Sequence, residues 1–252
     1  MFRTLAQKGR PVDGELVIDA HTHIGASNLY ALPFSGLDDV VAHMDRLGID
    51  QACTFGFAGV NSDFEYGNDV VIEAVQQFPR RFIGFTTLHA QYPDEMIPEL
   101  ERCRARGLRG IKLIPAYQRC PTEDERFRPA YEYAHDNRLM MLNHHWGPPG
   151  RLNELAGRYA NACFINGHIR HDCGEVLRER PNVYQCTCAA LMWRDVERLV
   201  QAAPLEKIVY GSDLIDLDGA FGLGPILYAR ISDEAKRAIL GLNMRRVLDE
   251  YA

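Results

Sequence analysis

The sequence predicts a single, somewhat distorted (β/α)8 barrel of the TIM type spanning residues 1–252, and three observations predict it. Short apolar, strand-like runs alternate with amphipathic helical stretches along the whole chain, and the alternation repeats eight times. A chain of 252 residues has the size at which α/β barrels commonly form one unit. A doubly wound open sheet, the competing architecture, usually carries a glycine-rich phosphate loop after its first strand. Here that place holds Asp19-Ala20-His21-Thr22-His23.

The first strand starts as an apolar run at Leu16 and ends in polar side chains at alternate positions. Strict alternation puts Asp19, His21 and His23 on one side, and Gly25 lets the backbone turn away. A loop over 26–36 follows, with Pro33 and Gly36. Leu37, Val40, Val41, Met44 and Leu47 then recur at helical spacing up to Gly48. Gln51 to Phe57 is the second strand, and Val70, Val71, Ala74, Val75 and Phe78 mark the next helix. Arg81 to Leu88 is the third strand. Asp94 and Glu95, acidic residues suited to the positive end of a helix dipole, open the helix carrying Met96, Ile97, Leu100 and Cys103. Pro98 falls near its first turn and Gly107 ends it.

Leu108 to Pro115 is the fourth strand, with Lys112 near its end, and a short helix lies around Tyr131 to His135. Arg138 to Asn143 is the fifth strand, running into His144, His145, Trp146 and a Gly147-Pro148-Pro149-Gly150 turn. Ala162 to Asn166 is the sixth, followed by Gly167 and His168. Val183 to Cys188 is the seventh, and Ile208 to Ser212 the eighth, closed by Asp213. The last helix, from about Asp233 to Glu250, packs through Ile239, Leu240, Met244, Val247 and Leu248.

Composition narrows the function. With 28 basic against 34 acidic residues the net charge is −6, which argues against nucleic acid as a partner. No stretch approaches the length of a membrane span, and Met1 to Arg10 lacks the apolar core of a signal peptide. Seven scattered cysteines without a Cys-x-x-Cys pair fit reduced thiols in a cytoplasmic protein better than a disulfide framework. The expected partner is a small-molecule substrate, with no membrane and no nucleic acid; a homo-oligomer stays open.

Barrel enzymes build their sites at the C-terminal ends of the strands. The chemistry-bearing residues sit at such ends on separate strands: His21 and His23, Lys112, His144 or His145, His168 and Asp213. Closing the barrel brings residues nearly 200 positions apart into one ring, whereas His43 and His135 lie in helices and read as ordinary side chains. Imidazole and carboxylate donors together suit one divalent ion, Zn2+ first, with Mn2+, Fe2+ or Co2+ also able to fit. In a catalytic centre of that kind Asp213 would accept a proton from water, and His168 would orient the water or polarise a carbonyl. Cys186 and Cys188 share a face of the seventh strand; they either line the pocket as donors for a soft metal or are small core residues.

The chain resembles the amidohydrolase superfamily, in its amidohydrolase 2 branch, which includes aminocarboxymuconate-semialdehyde decarboxylase. Ile18 to His23 matches the first-strand metal motif, and Tyr210-Gly211-Ser212-Asp213 the eighth-strand motif that carries the metal-bound aspartate. Gly110-Ile111-Lys112-Leu113 and Ile239-Leu240-Gly241 with Asn243 and Arg246 are softer matches. The resemblance implies metal ligands at His21, His23, one fifth-strand histidine and Asp213, with His168 a further ligand or a catalytic partner. His-His-Trp set beside the family's His-Pro-Trp favours His144, while a His-x-Gly pattern favours His145; we take His144. Lys112 is similar in position to the carboxylated lysine of two-metal relatives, but one metal is the default. The branch holds decarboxylases and hydrolases; a first-strand motif without the glutamate version of some decarboxylases, and a compact chain with no insertion long enough for a cap, favour hydrolysis of a small lactone, ester or amide by a metal-bound hydroxide. The alternatives are non-oxidative decarboxylation of a small aromatic or dienoic acid, and a barrel that binds metal or ligand without turnover. Tyr30, Phe34, Tyr117, Arg119 and Trp146 are expected to shape the pocket.

Overall fold

The computed structural model describes residues 1–27, 31–60 and 62–251; the pocket expectation at Tyr30 lies outside them. Eight parallel strands pair in sequence order: β1 (Ile18–Ile24), β2 (Gln51–Gly56), β3 (Phe82–Thr87), β4 (Gly110–Leu113), β5 (Met140–Asn143), β6 (Cys163–Asn166), β7 (Val183–Cys186) and β8 (Ile208–Val209). Around them run α1 (Phe2–Gln7), α2 (Leu37–Leu47), α3 (Phe64–Gln77), α4 (Met96–Ala105), α5 (Arg128–Asn137), α6 (Pro149–Arg158), α7 (Gly174–Glu179), α8 (Asp195–Ala202), α9 (Gly219–Tyr228), α10 (Asp233–Arg237) and α11 (Asn243–Tyr251). The result is the predicted (β/α)8 barrel.

Period-two patterning divides the strand residues between two cores. Ile18, Cys53, Phe55, Phe85, Leu142, Ile165 and Cys186 pack inside the cylinder, while Ala52, Ile111, Met141, Phe164 and Val183 pack against the helices. The interior is filled as well as lined: the Phe85 ring lies where a side chain at Gly110 would stand, 2.4 Å from such a Cβ. Helix ends follow local chemistry. α2 has Asp38 and Asp39 in its first turn and Arg46 in its last, and it stops at Gly48 in the left-handed conformation (φ 78°). Asp63 caps α3 by accepting from the Tyr66 amide.

The strand ladder leaves the seam between β8 and β1 to bonds just beyond β8. The Ala20 amide donates to Tyr210 O (2.8 Å), the Asp213 amide donates to His21 O (2.9 Å), and Thr22 bridges Leu214. β8 is therefore shorter than the sequence implies, and residues 210–214 do its pairing. β1 also departs from strict alternation. Its register against β2 shifts between Asp19 and Thr22, one extra residue entering β1, so Asp19 runs level with Ala52 and His23 with Phe55. Asp19 consequently does not share a face with His23. Its Oδ1 instead accepts from the backbone amides of His21 and Ser212, both at 3.1 Å, across the seam.

Other differences are local. α3 begins at Phe64, ahead of the apolar repeat, and β7 ends at Cys186. The predicted last helix is broken by a π-helical stretch, Ala238–Leu242, from which Ile239 O accepts the Tyr210 amide. His43 is buried, accepting from the Gly219 amide at 3.3 Å, so it is a structural tie between α2 and α9.

The β2–α3 contact admits no side chain at Gly56, where an added Cβ would lie 2.2 Å from Gly67 O. Gly56→Ala should cost about 2–3 kcal/mol in chemical unfolding. Gly150→Ala, with nothing within 4 Å of the new Cβ, should shift stability by less than about 1 kcal/mol. Equal unfolding midpoints for the two variants would contradict this packing.

Candidate metal centre

The C-terminal ends of the strands gather six of the singled-out side chains around one buried space. His21 is fully buried. Its Nδ1–H donates to Gly167 O (3.0 Å), which leaves the Nε2 lone pair facing inward. That nitrogen lies 3.1 Å from Lys112 Nζ and 3.5 Å from Asp213 Oδ1. His23 Nε2 is 2.9 Å from the same Asp213 oxygen, and its ring packs on Phe55 and Phe57 at 4.3 and 4.4 Å between centroids. Asp213 takes a left-handed backbone (φ 66°), a conformation uncommon outside glycine that aspartate tolerates better than most residues.

The remaining wall comes from β5 to β7. The His144 ring stands 4.2 Å from that of His168 and 5.9 Å from that of His21, whereas His145 is exposed. His168 Nδ1 lies 4.0 Å from Cys188 Sγ, and its Nε2 is buried without a hydrogen-bond partner, as is His23 Nδ1. Among the described residues, the donor atoms of His21, His168, Cys188 and Asp213 all lie within 4.8 Å of one another. His23, Asp213 and Asp216 form a second such group. His144 faces the space without joining either group.

Burial sets the charge states. It pushes the imidazoles of His21, His144 and His168 down, with Lys112 adding to the effect, to about 2 for His144 and about 4 for His168. Burial also pulls the Lys112 ammonium down to about 7, against the attraction of Asp213. For Asp213 burial alone would raise the pKa, but His21, His23 and His168 outweigh it and hold the carboxyl well below the usual carboxylate range. Neutral imidazoles facing an ionised carboxylate are the protonation states a divalent ion requires of its ligands. The donor set fits such an ion on a further count. With Nδ1–H committed to Gly167, His21 Nε2 presents a lone pair 3.5 Å from Asp213 Oδ1, a spacing that two ligands of one cation take, with Lys112 Nζ and His23 Nε2 as their present partners.

The expected pocket-shaping residues separate. Tyr117 stands at the mouth with its ring 5.3 Å from that of His144. Trp146 does not line the pocket: it is fully buried, donates from Nε1 to Ile165 O at 2.9 Å and packs on Phe164, because its side chain turns outward under the loop after β5. Phe34 also lies elsewhere, against His43. Arg119 is exposed. The loop after β7 exposes Leu191, Met192 and Trp193. Phe55 and Phe57, which the sequence reading passed over, wall the site beside His23. Their signal was alternation along β2 in step with His23.

The family model described as amidohydrolase matches residues 18–249. A 2-amino-3-carboxymuconate-6-semialdehyde decarboxylase from Dictyostelium discoideum is 28% identical over 130 residues, which is 48% of this chain and 36% of that protein. The chain thus spans about a third of that relative's length. Among solved structures, 2,6-dihydroxybenzoate decarboxylase from Rhizobium superposes with a TM-score of 0.75 at 15% identity, covering 93% of this chain and 99% of that one. A 5-carboxyvanillate decarboxylase from Novosphingobium aromaticivorans, solved with manganese, gives 0.71 at 16%, covering 94% and 96%. At these identities the structural likeness speaks for the fold.

A pH dependence follows from the buried imidazoles. Between pH 6.5 and about 4 the unfolded chain protonates a histidine that the folded chain keeps neutral at position 168. The unfolded state binds more protons there, so the metal-free protein should lose stability as pH falls through that window. Urea midpoints measured from pH 7 to 4 should fall less steeply for His168→Gln than for the unaltered chain. Parallel curves would refute the assignment.

Proposed function

We propose that this chain, which belongs to the amidohydrolase family, is a metal-dependent decarboxylase acting on a small aromatic or dienoic acid. The observation that carries the reading is the pairing of a histidine–aspartate donor set with a buried amine, Lys112 Nζ, 3.1 Å from His21 Nε2 and 4.1 Å from the Phe55 ring centroid. This places a cationic group and an aromatic wall side by side, which suits a flat, anionic substrate. The decarboxylase names of the relatives lean the same way.

In this reading His21, His23, Asp213 and the inward-facing His144 would hold the ion, zinc by preference, with manganese, iron or cobalt as alternatives. The bound ion would supply Lewis-acid polarisation of a substrate oxygen. The chain's own residues do the rest. Phe55 and Phe57 orient the ring face and keep water out, and Lys112 offsets the substrate's negative charge. Loss of the carboxylate as carbon dioxide leaves an electron pair on carbon that must take a proton. His168 is the side chain placed to deliver it, because its Nε2 has no other partner and an anionic substrate raises its proton affinity. Asp213 stays ionised beside both first-strand imidazoles and holds them in position.

Hydrolysis of a lactone, ester or amide is the second reading, and Asp213 favours it. An ionised carboxylate 2.9 Å from His23 Nε2 is able to take a proton from water while His168 polarises the carbonyl. Among the described residues no helix is long and apolar enough to cross a membrane.

The test supplies metal-reconstituted protein with small aromatic and dienoic acids, and in parallel with lactones and esters, in 18O-labelled water. Carbon dioxide release without 18O in the other product supports decarboxylation. Label in a carboxylic product with no carbon dioxide overturns it in favour of hydrolysis. In either case His168→Gln should lower kcat by about a hundredfold or more, and Asp213→Asn should also lower the metal content.

A further inference from the structure

The geometry points to Cys188 as a sulfur donor to the ion that His21 and Asp213 would hold, giving this centre a preference for thiophilic divalent ions over manganese. The inference rests on reading the cluster as a metal centre, and it concerns a side chain that the expected ligand set of three histidines and an aspartate leaves out.

Position is the first argument. β7 ends at Cys186, and the chain carries on along the barrel wall under two constraints. The Thr187 amide donates to Val209 O on β8 at 2.9 Å, and Cys188 O accepts from the Ile169 amide in the loop after β6. The Cys188 amide itself faces Cys186 Sγ at 3.4 Å. Backbone bonds on both sides thus fix the direction of the Cys188 side chain, which is fully buried. Its sulfur lies 4.0 Å from His168 Nδ1, and it is within 4.8 Å of the donor atoms of both His21 and Asp213.

The other interior thiols supply the contrast. Cys53 and Cys163 are just as buried and share the apolar packing inside the cylinder with Cys188, but among the described residues neither joins a donor group. A second observation comes from the same cluster: the His168 Nε2 atom is buried without a hydrogen-bond partner. His21, Asp213 and Cys188 supply an imidazole, a carboxylate and a thiol, three donors of the kinds zinc accepts, with ligand atoms about 3.5 Å apart once bound. Contraction from 4.8 Å is within the reach of side-chain rotation. Sulfur then decides selectivity. Thiolate donors favour zinc, cadmium and cobalt, whereas manganese is matched to carboxylate, carbonyl and water. Seating the ion breaks the S–H bond, forms a sulfur–metal bond and releases the proton to water.

The experiment uses the full chain, stripped of metal and loaded with cobalt. The unaltered protein should bind cobalt with a thiolate-to-cobalt charge-transfer band in the near ultraviolet. Cys188→Ser should still bind cobalt but lose that band, and Cys186→Ser should keep it. In competition, the preference for cadmium over manganese should fall by about tenfold or more in Cys188→Ser. A zinc-loaded sample of the unaltered chain needs no variant to fold: X-ray absorption should show a sulfur scatterer at about 2.3 Å. Cobalt bound without the band, a band that survives in Cys188→Ser, or a zinc shell of nitrogen and oxygen alone overturns the inference and leaves the metal reading standing. Failure of the unaltered chain to bind cobalt or zinc at all overturns both.

Discussion

The seam between the first and last strands is the constraint on which everything else in this molecule depends. Eight strands make a cylinder only if the last meets the first, and β8 is too short to do so through its own ladder. The segment beyond it completes the closure. The Asp213 amide bonds His21 O while the Asp213 carboxylate reaches the imidazoles of His21 and His23. One residue thus serves as a backbone fastener and as an electrostatic hub. Its left-handed φ is the geometric cost of doing both, and such strain persists only where the surroundings over-determine it. Asp19 reinforces the same seam from the other strand by bonding the amides of His21 and Ser212.

The electrostatics follow from that closure. A cylinder with an apolar floor that shields its side chains from solvent disfavours charge, so burial pushes the imidazoles of His21 and His144 down and draws the lysine towards neutrality. Asp213 alone runs the other way, because three histidines surround it. In the proposed metal centre the candidate donor atoms of His21, His168 and Asp213 are therefore gathered close together before anything binds. A centre pre-organised in this way need not reorganise during the reaction, and preorganisation of this sort is where protein scaffolds contribute most to catalysis.

Much of this was legible in the sequence, and what was not has identifiable causes. The barrel followed from strand–helix alternation, since period two and period 3.6 are local signals. Histidines at strand ends were visible for the same reason. The bulge in β1 was hidden, because an extra residue changes which face Asp19 takes without changing composition. The choice between His144 and His145 turns on where β5 ends, and strand boundaries are poorly marked by pattern. Trp146 looked like a pocket aromatic from its neighbours in sequence. Only the backbone direction after His145 shows that it drops beneath the loop to bond Ile165 O. Phe55 and Phe57 read as ordinary strand residues until β2 is laid beside β1.

That sunken tryptophan bears on how such a scaffold can diversify. By pinning the segment after β5 to β6 from below, the indole makes one side of the cavity a fixed wall, and the Arg170 guanidinium, bonded to Gly147 O, braces it from above. Remodelling to admit a ligand of another shape is then left to the rim after β4, where Tyr117 stands in solvent beside His144 and can be exchanged without disturbing a core. The proposed ion-binding floor and the Tyr117 rim are, in this architecture, separately mutable parts.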